Sequence, residues 1–165
     1  MPRSKRSEVS LAEMAYARAA SYTPVTNTSA YAAGDMIGTG ASELTLFGAE
    51  NRKSGLVVSA RVYDLDKQNA GLTILLFKAD PDSTTFTNNA ALDVDDDDLP
   101  NIVGRIIVYS SDYTSFADNS YAETTGTLAY PVASGATVYA VTICDGTPTY
   151  TGADSLTITL VLCED

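Results

Sequence analysis

Asp80, Asp82, Asp93, Asp95, Asp96, Asp97 and Asp98 crowd the stretch between Lys78 and Pro100, and they are the side chains of this chain best equipped for chemistry. Asp93, Asp95 and Asp97 alternate as the first oxygen ligands of a calcium loop do. Such a loop also needs glycine at its sixth position and a bidentate glutamate at its twelfth; counted from Asp93, those places hold Asp98 and Gly104. The favoured expectation is structural. Aspartates just before Leu99–Val103 cap a helical turn and favour its dipole, while the others solvate a polar loop. Calcium at Asp93, Asp95 and Asp97 is the lesser alternative, and no cofactor is expected. Asp80-Pro81-Asp82-Ser83 reads first as a turn.

Other catalytic sets are missing their key members. The chain has no histidine, which removes the commonest general base and the commonest ligand of catalytic zinc. No G-x-S-x-G is present, and Gly38-Thr39-Gly40-Ala41-Ser42-Glu43 lacks the third glycine of a phosphate-binding loop. Paired carboxylates can hydrolyse glycosides, but this chain has no tryptophan for a sugar platform and carries its acids in turns. The expectation is a protein that is not an enzyme. Ten tyrosines remain, and Tyr109, Tyr113, Tyr121, Tyr130, Tyr139 and Tyr150 fall in the C-terminal half. They serve either as ordinary strand and turn residues or as an interaction rim.

Charge is divided along the chain. The 165 residues carry a net charge of −11. Arg3, Lys5, Arg6 and Arg18 face only Glu8 and Glu13 before residue 19, so the N-terminal stretch is basic and the body strongly acidic. An acidic body argues against nucleic acid as a partner. No run approaches the ~18 apolar residues of a membrane helix, and no apolar secretory segment follows the first residues. Cys144 and Cys163 are expected to be free. If 137–144 and 155–163 pair as a hairpin, the two sit roughly 20 Å apart at ~3.3 Å per residue, beyond disulfide reach.

The elements that must position these residues are strands. Gly71–Pro100 opens with Leu72–Phe77, apolar at nearly every place and so suited to a strand covered on both faces. Leu56–Leu65 puts Val57, Ser59, Arg61 and Tyr63 on one face and Val58, Ala60, Val62 and Asp64 on the other. Further runs are Leu44–Phe47, Ile102–Ser110, Thr127–Tyr130, Ala136–Cys144 and Ser155–Cys163, with Thr127–Tyr130 an edge strand closed by Pro131. Clusters of Gly, Asp, Asn, Ser and Pro separate them, including Ser111–Gly126. The expected fold is all-β: an antiparallel β-sandwich or jelly-roll-like barrel over residues 22–165. Residues 1–21 form a basic arm with a short helix, its Ser10–Glu13 capping box followed by a stripe of Leu11, Met14, Ala15 and Ala19.

TPVTNTSAYAAGDMIG, the strand LVVSARVYDLD and LTILLFKADPDSTTFTNNAALDVDDDDLPNIVGRI together resemble small β-rich virion proteins of tailed bacteriophages, the head decoration or cement proteins. The resemblance covers residues 22–165, chiefly Tyr31–Ile37 and Leu72–Ile106, and excludes the arm. It implies a structural protein without cofactor, made in the host cytoplasm, held on the outer capsid surface by the major capsid protein, and often trimeric. The arm is then expected to lie on the capsid or a neighbouring subunit, with Arg3, Lys5 and Arg6 against acids and Leu11, Met14 and Tyr16 as apolar anchors. The alternative is a tail or head-fibre module recognising host-surface glycan, which would show a shallow groove of exposed tyrosines with amides.

Overall fold

Leu156, Ile158, Leu160 and Leu162 alternate with Thr157, Thr159, Val161 and Cys163, and all four of the first set are fully buried. This strand is the middle of the molecule's apolar interior. The computed structural model describes residues 17–45, 54–131 and 137–164. Its strands are β1 (Ala17–Tyr22), β2 (Met36–Thr45), β3 (Ser54–Asp64), β4 (Leu72–Phe77), β5 (Ile102–Val108), β6 (Tyr113–Ser115), β7 (Ser120–Pro131), β8 (Thr137–Cys144) and β9 (Leu156–Glu164). They form two antiparallel sheets, ordered β1-β9-β3-β7-β6 and β2-β8-β4-β5.

The sheets stack as a sandwich. Leu72, Ile74 and Leu76 of one sheet share a core with Val57, Ala60, Val62 and the four β9 residues of the other. Burying a side chain of this size contributes about 1.5–3 kcal/mol, so the repeated pattern specifies the register strongly. Tyr22 crosses the interior, its hydroxyl 2.9 Å from Thr142 Oγ1, so both buried hydroxyls are satisfied. The sheets also approach each other where β1 meets β2 and where β5 meets β7. No hydrogen-bonded ladder among the described residues joins them there, so the sandwich does not close into a barrel.

Several expectations need correction. Ala17–Tyr22 is a strand paired with β9, Ala17 opposite Cys163 and Tyr22 opposite Ile158, so Ala19 belongs to no helix and pairing begins before residue 22. The rest of the expected helix lies outside the described residues. Thr127–Tyr130 is not a separate edge strand. It is the end of the 12-residue β7, which takes in part of the expected turn cluster Ser111–Gly126. Among the described residues β6 pairs only with Ser120–Ala122, so the 127–130 end has β3 on one side and is an edge, as expected. The strict alternation of Leu56–Leu65 is broken by a bulge between Val57 and Ser59, so Val57 and Ala60 both reach the core. β8 and β9 are not a hairpin; the chain passes from one sheet to the other between Cys144 and Leu156. Both cysteines are nonetheless free.

β4 is buried along its inner face and covered on its outer face at Leu75 and Phe77, while Thr73 opens to the surface. Beneath it lies the main core. Above it, Phe77, Met36 and Val141 form a second cluster with Leu75, Phe86, Leu92, Val94, Ile102 and Tyr139. The upper layer comes from residues 78–101, a strap that leaves β4, crosses the outer face of the four-stranded sheet and returns to β5. Asn89 N–H donates to Met36 O at 2.9 Å, Met36 N–H to Ala90 O at 2.9 Å and Leu92 N–H to Gly34 O at 3.2 Å, pinning the far end of the strap to the start of β2. β2 itself bulges between Ile37 and Ser42, and Gly38 takes a φ of 116° that only glycine adopts without strain.

Candidate functional site on the outer face of the five-stranded sheet

The acidic stretch is the strap, and its aspartates have separate duties. Asp93, Asp95, Asp96 and Asp97 are exposed. Asp95 Oδ1 accepts from Asp97 N–H at 2.9 Å, closing a turn. Asp98 sits at the start of a 3-10 turn, Leu99–Asn101, but its side chain does not cap that turn. Its Oδ2 accepts instead from the Thr84 hydroxyl at 2.7 Å, and Asp98 is only 2% exposed. Among the described residues, no three carboxylates or thiols gather into a set able to hold a metal. A groove of ≈ 420 Å³ along the strap is lined by Ser83, Thr85, Thr87 and Asp93.

The expected partner-contact residues Arg3, Lys5, Arg6, Leu11, Met14 and Tyr16 lie outside the described residues. The structure fixes only the point from which they extend, Ala17 at the start of β1. Nor do the C-terminal tyrosines form one rim. Tyr150 is buried edge-on against Tyr31, with ring centroids 5.9 Å apart, and Tyr113 packs on the main core. Tyr139 supports the strap, and Tyr109 stands exposed beside a cleft of ≈ 570 Å³ between β4, β5 and Asp145–Pro148. In that cleft Thr73 donates its hydroxyl to Asp145 Oδ2 at 2.8 Å.

A different set does converge. On the outer face of the five-stranded sheet, Tyr63 of β3 lies directly opposite Tyr121 of β7. Their ring centroids are 5.5 Å apart and the rings are tilted by 52°. Leu65 and Phe116, both more than half exposed, complete the walls of a shallow notch of ≈ 320 Å³, with Asn119 and Ser120 beside them. These side chains bring exposed apolar surface together at one place on this face.

The notch is held in shape by polar contacts at its edges. Phe116 rides on the β6–β7 turn, where its N–H donates to Asn119 O at 2.8 Å and its carbonyl accepts from Lys67 Nζ at 2.6 Å. The Tyr121 hydroxyl is 2.9 Å from Glu123 Oε2. Glu123 Oε1 accepts from Arg61 Nε at 3.0 Å, and from the Ser59 hydroxyl at 3.4 Å. The Arg61 hydrogen bond, followed by that from Tyr121, holds the Glu123 carboxyl below its ordinary value. Arg61 and Glu123 thus form a charge pair of zero net charge beside Tyr121, and Lys67 adds a cation at the Phe116 edge.

One loop behind the notch is organised by a buried acid. Asp64, 1% exposed, accepts from Asp66 N–H at 3.1 Å and from Asn69 N–H at 2.8 Å. These bonds hold Lys67 and Asn69 in left-handed backbone conformations, at φ 54° and 53°. Burial pushes the Asp64 carboxyl up, against the pull of those N–H groups. Asp66 then carries the order onward, accepting from both the amide and the hydroxyl of Thr151 at 2.7 Å.

Sequence reasoning placed Arg61 and Tyr63 on one face of a strand but did not join them to β7. The available signal was Phe116, a large apolar residue inside a polar turn sequence. No protein-family model matches the chain, and the search of curated proteins found no match. No helix among the described residues is long and apolar enough to cross a membrane.

Proposed function

We propose that this chain is a structural virion protein, a decoration protein that sits on the outer surface of a bacteriophage capsid and bridges subunits of the major capsid protein. It acts without catalysis or cofactor, and as a homo-oligomer, with a trimer favoured. The observation that carries this is the order in which the strands pair. With the three-residue β6 set aside, β1 pairs with β9, β2 with β8, β3 with β7 and β4 with β5. A ribbon of eight strands folded in half and rolled once makes these pairs, first with last and so inward. We read it as a jelly roll, an architecture shared by viral capsid and lectin domains.

Architecture alone does not assign function; the basic arm links it to a shell. Arg3, Lys5 and Arg6 precede an edge strand of a strongly acidic body, so the arm supplies a contact surface of opposite charge, with Leu11, Met14 and Tyr16 as anchors. Removal of residues 2–16 tests this, because it leaves β1 whole; a cut through residue 20 would take most of β1 with it. The expected result is loss of binding to purified shells with unchanged thermal unfolding. Unchanged occupancy of the shells would overturn the proposal.

A second reading, a fibre or tail module that recognises host-surface glycan, is favoured by the tyrosine-lined notch with its neighbouring amide, Asn119. Copy number per particle separates the two: many copies for decoration, few for a fibre.

A further inference from the structure

We infer that the notch between Tyr63, Leu65, Phe116 and Tyr121 is a binding site for a neutral saccharide. This rests on the glycan-binding reading and names its site and ligand class; it does not depend on attachment to a shell.

The shape comes first. A sugar ring has one face of C–H groups and a rim of hydroxyls. The C–H groups carry partial positive charge and pack on the negative faces of aromatic rings. Tyr63 and Tyr121, tilted by 52°, make a V-shaped floor for such a face, and Leu65 and Phe116 close its sides. At ≈ 320 Å³ the notch falls at the small end of ligand sites. A standard protein–protein interface uses about 20–30 residues a side, far more than these few side chains provide.

Chemistry of the rim narrows the class. Hydroxyls need partners that both donate and accept. The Asn119 amide offers both, and the Arg61–Glu123 pair beside Tyr121 offers a donor and an acceptor with unfilled capacity. That pair cancels its own charge, and the chain as a whole is strongly acidic. The cation at the Phe116 edge, Lys67, is already engaged with the Phe116 carbonyl, so the acidic body sets the field that an acidic glycan would meet, and the ligand is neutral.

Preorganisation supplies the third argument. Exposed aromatics left to rotate would lose entropy on binding. Here Tyr121 is tied to Glu123, and the turn that carries Phe116 is tied to Lys67. Part of the ordering is thus in place before any ligand arrives.

Position agrees as well. Tyr63 lies opposite Thr157 on β9, while Ala17 lies opposite Cys163. The notch and the root of the arm are thus ~20 Å apart along the strand at about 3.3 Å per residue. A subunit held at one end would offer the notch at the other.

The test uses the full chain and a panel of methyl glycosides and short oligosaccharides of glucose, galactose, mannose and N-acetylglucosamine, with sialyllactose as the acidic comparison. Saturation-transfer NMR should show contact through ring C–H groups, and the Tyr63 and Tyr121 aromatic signals of the unaltered protein should shift on titration. Tyr63→Ala and Phe116→Ala should each weaken binding roughly tenfold or more, and Tyr109→Ala, beside the other cleft, should leave it unchanged. Failure of every neutral sugar to bind would overturn the inference. So would binding that survives both substitutions, shifts confined to other residues, or a preference for sialyllactose. Shell binding measured on the same protein separates this failure from failure of the decoration proposal.

Discussion

Thr84 donates its hydroxyl to Asp98 across 2.7 Å, and this bond ties the outgoing limb of the strap to its returning limb. Both residues are buried. Thr84 Oγ1 also accepts from Asp95 N–H at 3.2 Å, so one hydroxyl holds two points of the acidic segment. The strap in turn covers Phe77, which is wholly buried in the second apolar cluster.

Removing one partner of this bond should cost more than an average polar contact, because the other is left buried without it. Thr84→Val should lower unfolding free energy by about 1–3 kcal/mol, measured by urea denaturation. Limited proteolysis should then cut within residues 78–101 before any strand. Asp93→Asn, at an exposed position of the same strap, should leave both measurements unchanged.

Asp64 gives a dependence on pH whose sign follows from its burial. Its folded carboxyl holds a proton to higher pH than the unfolded one. The contribution is therefore fully present below the ordinary value of 3.8 and is lost as pH rises through the raised value. Asp64→Ala removes this dependence and leaves the Asp66 and Asn69 amides without their acceptor, at a cost of about 1–3 kcal/mol. The unfolding free energy of the native protein minus that of the variant should be greatest in acid and should shrink toward neutral pH. A gap that widens toward neutral pH would show that the carboxyl is held down instead.

The two thiols should differ in reactivity. Burial pushes Cys144 up from 9.0 to about 11, and Cys144 is fully buried. Cys163 is part-exposed on the outer face of β9. Because the thiolate is the reactive form, iodoacetamide at pH 8 should label Cys163 alone in the folded protein and both residues in denaturant. Mass spectrometry after cleavage at aspartate, which separates the two cysteines at Asp145 and Asp154, reads this directly.

The sandwich was legible wherever large apolar residues alternate, as in Leu156–Leu162, and wherever they run on unbroken, as in Leu72–Phe77. It was illegible where the inward residues are small. β1 reads Ala-Arg-Ala-Ala-Ser-Tyr, which by intrinsic preference is helical; pairing with β9 overrides that preference. The start of β7 turns only Ser120 and Ala122 inward, too little to stand out from the polar turn before it. Asp98 was expected to serve its own helical turn, but a hydroxyl from Thr84, fourteen residues earlier, claims its carboxylate. The notch was hidden for a related reason. Its walls come from β3, β7 and two turns, and only the register between Tyr63 and Tyr121 brings them together.

Pairing of the first strand with the last sets a condition on synthesis. Ala17 is made 146 residues before its partner Cys163. β3 also waits, because β9 lies between it and β1. The larger sheet therefore cannot be completed until β9 has been made, and the many long-range contacts place the fold among slow-folding topologies. Until β9 is released, β1 and one edge of β3 expose unpaired backbone to other nascent copies.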